Sequence, residues 1–164
     1  SQGTMNNVSF GTDTWGCYET ICGGAGATPH APGASGVHTH MTNTRITDAE
    51  VLEQRLPVLV RRFGLRENSG GPGPHRGGDG VVREFEFREA VRCSVLAQRR
   101  VIGPPGLGAG GRGLPGSQLI LEPGGEWRAL VSGSAAIPAS GRLRVQTPGG
   151  GGSSVGRDRP DGVS

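Results

Sequence analysis

The chain has 164 residues and a net charge of +3, and all 17 of its basic residues are arginine. That length admits one domain with a real core, and so small a charge, interspersed with acids, argues against a nucleic-acid or membrane partner. Gly 32 and Pro 12 bring the composition near the low-complexity range, but apolar clusters punctuate the glycines, which points to a folded, loop-rich protein instead.

In chain order, residues 1–27 alternate short apolar pieces (Val8, Phe10, Trp15, Tyr18, Ile21) with Gly and Asn, which suits short strands and turns. Residues 28–36 read as a loop. Asp48 is a good N-cap, with Val51, Leu52 and Arg55 following at helical spacing until Pro57 stops the helix. Leu59 to Leu65 predicts a strand with Phe63 inward. Residues 67–80, rich in Gly and Pro, form a long turn-rich connection.

The clearest strand signals follow. Val81 to Phe87 places Val82, Glu84 and Glu86 on one face and Val81, Arg83, Phe85 and Phe87 on the other. Val91 to Leu96 repeats the style, and Arg88-Glu89-Ala90 between them reads as a hairpin loop. Residues 103–117 are again loop, and Leu119 to Leu121, Trp127 to Val131 and Leu143 to Val145 give three more short strands. Residues 149–164 lack large apolar groups apart from two Val, and a disordered tail is expected there, with the domain bounded at 1–152 and the tail at 153–164. The fold class expected is α+β, mostly β, with antiparallel strands punctuated by Gly/Pro loops and one short helix. In that reading the glycines serve tight turns and positive φ angles.

An odd count of Cys 3 suggests free thiols in a reducing compartment. No apolar run approaches the ~20 residues of a spanning helix, and no signal peptide is visible, so a cytoplasmic home is expected. The chain begins at Ser1 and reads as the tail of a longer polypeptide.

Chemistry concentrates in residues 36–48, Gly-Val-His-Thr-His-Met-Thr-Asn-Thr-Arg-Ile-Thr-Asp, where polar groups interleave with Val, Met and Ile as they do in partly buried sites. On a strand His38 and His40 share a face, as metal chelation or paired proton transfer requires; orienting a substrate and hydrogen-bonding buried backbone are the alternatives. Cys17 and Cys22 match no zinc spacing and read as buried thiols. Asn43, Arg45 and Asp48 form either a carboxylate-binding triad, with Arg45 as the planar fork, or an Arg45–Asp48 structural pair. Asn6 and Asn7 offer side-chain amides to an amide substrate, or occupy a tight turn. Glu19 is the best acid of the N-terminal stretch for general acid/base work, its alternative being a surface strand Glu.

The Gly106 to Gly111 run formally matches a dinucleotide fingerprint, yet it follows a double Pro and opens no helix, while Gly23 to Gly26 lacks the Lys-Ser/Thr of a P-loop. The Arg-Gly-Gly at Arg76 lacks the repetition and aromatic interleaving of an RNA-binding array.

Several of these stretches recur together in one family. Ser1-Gln2-Gly3-Thr4-Met5-Asn6-Asn7, Tyr18-Glu19-Thr20, Gly23-Gly24-Ala25-Gly26-Ala27, the His38 to Arg45 segment, Ser69-Gly70-Gly71, Arg76-Gly77-Gly78-Asp79-Gly80 and Thr147-Pro148 with Gly149 to Gly152 occur in register. The chain thereby resembles the C-terminal part of the hydantoinase B / 5-oxoprolinase family. The resemblance implies ATP-dependent opening of a cyclic amide, 5-oxoproline to glutamate, with ATP phosphorylating the amide oxygen before water attacks. It implies a hydantoinase A-like companion and a homo-oligomer at full length. Relatives bind a divalent metal through a Gly-Gly-Thr-His-type motif that this chain lacks, so metal and ATP are both expected to bind outside it, and the chain alone is expected to be inactive. In this scheme His38, His40 and Glu19 are the catalytic candidates, and Asn6, Asn7, Asn43 and Arg45 bind substrate. The alternatives are the B subunit of a hydantoin-cleaving enzyme or acetone carboxylase relative, and a non-catalytic interaction module.

Overall fold

Alternating apolar and polar residues set most of the strands, and their apolar faces meet between two antiparallel sheets. The computed structural model describes residues 5–39, 44–130 and 133–154. In chain order the elements are β1 (Asn6–Gly11), β2 (Gly16–Thr20), α1 (Ala49–Arg55), β3 (Val58–Arg66), β4 (Gly80–Phe87), β5 (Val91–Ala97), β6 (Ser117–Leu121), β7 (Arg128–Ala129), β8 (Ser134–Ile137) and β9 (Arg142–Gln146). A four-stranded sheet runs β2-β1-β5-β8 and a five-stranded sheet β3-β4-β9-β6-β7. The expected class, mostly antiparallel strands with one short helix, is what the structure has.

The core follows from period-two burial. Val8 and Phe10 from β1 and Val91, Cys93 and Val95 from β5 turn inward from the smaller sheet. Phe85, Phe87, Ile120, Leu143 and Val145 turn inward from the larger. The Phe10 ring lies 5.0 Å from Phe85 and 5.2 Å from Phe87, so aromatic contacts join the two layers. On the other face of β4, Glu84 accepts from Arg144 Nε at 2.8 Å and Glu86 accepts from Arg142 Nε at 2.8 Å. These are register partners across β4 and β9, as opposite charges on neighbouring strands prefer.

Helix α1 starts where expected. Asp48 accepts from Glu50 N at 2.9 Å, and Leu52 is the turn's buried residue.

Four expectations change. Arg88-Glu89-Ala90 is not a hairpin loop: β4 and β5 lie in different sheets, so the segment carries the chain from one layer to the other. Alternation shows which face of a strand is buried and says nothing of its partner. Phe63 shares the face of its register partner Arg83, over whose guanidinium its ring lies at 4.9 Å, yet it is 47% exposed rather than core. Of the expected Trp127–Val131 strand the described residues hold only Arg128–Ala129, Val131 lying outside them, and Ser134–Ile137 forms a strand whose small residues gave no signal.

The fourth change concerns glycine. Among the described glycines only Gly36, Gly108 and Gly124 have positive φ. Most of the rest sit where backbone lies against backbone. A Cβ on Gly150 would overlap the Ala25 carbonyl, one on Gly77 the Gly150 carbonyl, and one on Gly70 the Gly77 carbonyl. Hydrogen bonds knit the same segments: Gly71 N to Gly150 O at 2.8 Å, Gly150 N to Gly78 O at 2.8 Å, Gly78 N to Ala25 O at 2.9 Å and Ala27 N to Gly151 O at 2.8 Å. The Gly-rich stretches thus form an interlocked layer of extended chains that only glycine permits, by the steric logic of the collagen axis. Gly149 to Gly152 run through it fully buried, and Ser153 exchanges backbone hydrogen bonds with His75. The stretch expected as a tail from 149 is therefore packed as far as its description extends; residues 155–164 lie outside the described residues.

Candidate functional site

The polar segment at 36–48 begins in the glycine layer and ends on α1. Gly36 donates to Asp79 O and Val37 to Gly23 O, each at 2.9 Å, and Gly36 takes φ +58 beside Leu65 and Val81. His38 and Thr39 are half-buried just beyond this anchor. The bridge between Gly23 and Val37 is isolated, so His38 lies outside any strand. His40 and Asn43 lie outside the described residues. The segment re-emerges at exposed Thr44 and Arg45, buries Ile46 against the core, and presents the Thr47 carbonyl to Arg83 Nη2 at 3.0 Å.

No ion pair joins Arg45 to Asp48: Asp48 is spent on the helix cap, and Arg45 is exposed. Asn6 and Asn7 are the first residues of β1 rather than a turn. Asn6 is fully buried and its Oδ1 accepts from Arg100 Nη1 at 3.0 Å, whereas Asn7 points to the opposite face.

Glu19 is not a surface residue. It is 4% exposed, and Arg83 grips both of its oxygens, Nε at 2.9 Å and Nη2 at 3.0 Å. The pair spans the two sheets, Glu19 on β2 and Arg83 on β4, and Arg83 is sandwiched by Phe63 and Phe85 at 4.9 and 5.2 Å from the ring centres. A bidentate, dry pair of this kind fixes one relative placement of the sheets and, through Thr47, one placement of the polar segment. Arg83 is the residue that sequence reasoning passed over. Its signal was present: an arginine in phase with Val81, Phe85 and Phe87 on the apolar side of a strand needs a buried partner.

Burial makes the thiols harder to ionise than a free cysteine. Burial, with Glu19 adding to it and Arg83 opposing, pushes Cys17 up to about 11. Burial likewise raises Cys22. Among the described residues no three His, Cys, Asp or Glu side chains converge as a metal requires. The buried Asp79 already accepts from Gly70 N at 2.8 Å and Arg76 Nη2 at 2.9 Å. The Gly106 to Gly111 run packs on its own neighbours, Gly106 against Gly110 and Gly110 against Gly152, and opens no helix. The described residues therefore offer no set that fits a divalent metal or a nucleotide phosphate, and no chemical step is assigned to either on this chain. No helix among the described residues is long and apolar enough to cross a membrane.

Comparison with known proteins places this arrangement. The chain is 54% identical over 154 residues to 5-oxoprolinase 1 of Arabidopsis thaliana, covering 93% of this chain and 12% of that protein. It is 47% identical over 153 residues to a 5-oxoprolinase of Dictyostelium discoideum, again covering 93% of this chain and 12% of the relative. It therefore spans only a small part of these relatives. The ATP-dependent caprolactamase of Pseudomonas jessenii shares the fold, with a TM-score of 0.74 at 22% identity, over 94% of this chain and 30% of that structure. The Hydantoinase B/oxoprolinase family model matches residues 1–154. With the motifs in register, the fold shared and nearly the whole described chain matched, the protein belongs to the hydantoinase B/oxoprolinase family.

Proposed function

We propose that this chain is part of an ATP-dependent cyclic amidohydrolase that opens 5-oxoproline to glutamate, and that alone it is inactive. The observation that carries this reading is the 54% identity, over 93% of the chain, to a 5-oxoprolinase. A hydantoinase A-like region or subunit supplies the nucleotide machinery, the divalent metal is bound outside this chain, and the full-length enzyme is a cytoplasmic homo-oligomer.

In this reading the segment 36–48 is the chain's contribution to the substrate pocket. His38 and His40 hold the substrate or its intermediate, with Asn43 and Arg45 on the carboxylate. Exposure of Arg45 suits a fork that waits for a ligand. Asn6 and Asn7 lie at the start of β1, where Asn7 is the one left to meet a substrate, Asn6 being buried and bonded to Arg100. Glu19 acts on the same segment through Arg83 and the Thr47 carbonyl, as a positioning residue rather than a proton carrier.

Arg45→Ala in the full-length enzyme is expected to raise KM for 5-oxoproline about tenfold or more, for loss of a charge-assisted hydrogen bond of roughly 1.5–3 kcal/mol. An unchanged KM removes Arg45 from the site. ATP turnover with 5-oxoproline, hydantoin and acetone in parallel tests the substrate itself.

A further inference from the structure

Each sheet turns one face to the core, and the two outer faces differ in kind. On the larger sheet the outer face is laced with ion pairs, Glu84 and Glu86 of β4 with Arg142 and Arg144 of β9 and Arg61 of β3. Such a face is at home in water. On the smaller sheet the register sets three outward rows across the strands, from Thr20 to Leu96, from Tyr18 to Ser134 and from Gly16 to Ala136. Among the described residues of these rows Arg92 is the only charged side chain, and it forms no ion pair with another described residue. Tyr18 is 65% exposed and Leu96 63%. Loss of charge with an aromatic kept is what separates the middle of an interface from ordinary surface.

A hollow of about 430 Å³ opens on this face, lined by the outward-facing Ser9, Gly11, Gly16, Tyr18 and Arg92 and closed by the turn at Asp13. Its two glycines are there for different reasons. A Cβ on Gly11 would strike the Trp15 carbonyl, so the hairpin itself demands that glycine. A Cβ on Gly16 would meet nothing within 4 Å, and Gly16 has no positive φ. Nothing within the chain calls for glycine at that position; a side chain there would only fill the hollow.

We propose that the outer face of the smaller sheet seats the rest of the enzyme's polypeptide. An uncharged, apolar element packs across Tyr18 and Leu96, lowers a large side chain into the hollow over Gly16, and turns its polar end to Arg92 and Asp13. The inference rests on the reading that this chain is part of a larger enzyme. Length and charge choose the occupant. The chain covers 12% of 5-oxoprolinase 1, so most of such a polypeptide lies outside this fold. Packing it on the larger sheet would strip water from a network of charges, whereas the smaller sheet gives up little hydration. A second copy of this chain fits worse, because its matching rows bring another Arg92 and no acid.

The test is hydroxyl-radical footprinting of the full-length enzyme and of the 164-residue chain, read by mass spectrometry. Labelling of Tyr18 and Leu96 is expected to fall in the full-length enzyme to the level of the buried Phe10. Trp127, stacked under Arg144 on the ion-paired face, is expected to label equally in both. Gly16→Leu is expected to leave the unfolding midpoint of the 164-residue chain no lower, and in the full-length enzyme to return Tyr18 to the labelling of the chain. Because the readout is labelling and not turnover, an enzyme inert toward 5-oxoproline yet protected at Tyr18 sinks the substrate assignment and keeps the face. Tyr18 labelled equally in both proteins, Trp127 protected as strongly as Tyr18, a 164-residue chain that dimerises with Tyr18 protected, or a native product no longer than this chain overturns the proposal.

Discussion

Gly150→Ala tests the glycine layer at its centre. Gly150 donates to Gly78 O and accepts from Gly71 N, both at 2.8 Å, so its backbone is pinned on two sides. An added Cβ would overlap the Ala25 carbonyl and come within 2.7 Å of Gly26 N. Ordinary carbon contacts lie at about 3.5–4.0 Å, so the Ala25 carbonyl would have to withdraw by about 1.5 Å. That movement strains the bonds from Gly78 N to Ala25 O at 2.9 Å and from Ala27 N to Gly151 O at 2.8 Å. Losing two such buried bonds at about 1–3 kcal/mol each, against a gain of up to ~1 kcal/mol from a stiffer unfolded chain, leaves a net loss of about 3 kcal/mol. For a chain of this size that corresponds to roughly 6–12 °C in Tm. Gly64→Ala is the control: nothing lies within 4 Å of its Cβ position, on an exposed part of β3. There alanine is expected to be neutral or to stabilise by about 0.5–1 kcal/mol. Urea unfolding monitored by Trp fluorescence measures both. If Gly150→Ala shifts stability no more than Gly64→Ala does, close backbone packing is not why the glycines are there.

Other expectations follow from named contacts. Glu19→Gln leaves Arg83 charged in a dry core and should cost about 3–5 kcal/mol, while Glu19→Gln with Arg83→Met should recover most of it; a double variant as unstable as the single one refutes the pairing argument. Cys17, with its thiol pushed up to about 11, should react with iodoacetamide at pH 8 roughly two orders of magnitude more slowly than a free thiol, the rate climbing about tenfold per pH unit above that; a rate already level at pH 9 contradicts it. Asp48→Ala removes the acceptor of Glu50 N and should destabilise by about 1 kcal/mol, whereas Asp48→Asn should be nearly neutral.

The candidate site was legible in part. The segment 36–48 stood out because polar side chains crowd a stretch with too few apolar residues for a core strand. What anchors it was not legible, since the partners of Gly36, Val37 and Thr47 are Asp79, Gly23 and Arg83, brought near only by folding. Glu19 shows the limit most plainly. A glutamate on a short strand looks the same in sequence whether it faces water or an arginine from the other sheet.

By itself the sequence determined the local elements. Asp48 and Pro57 bracketed the helix, apolar alternation marked the strands of the core, and the ordered Gly-rich motifs carried the family. These are properties of a few adjacent residues, set by backbone sterics and by the period of burial. The tertiary structure alone decided three things. It assigned β4 and β5 to different sheets, because alternation gives a face and no partner. It set the Gly-rich stretches against one another, because a missing side chain signals freedom in a lone segment and close approach only when a second backbone arrives. It also set Arg83 of one sheet on Glu19 of the other, because charge balance in a core is summed over space and not along the chain.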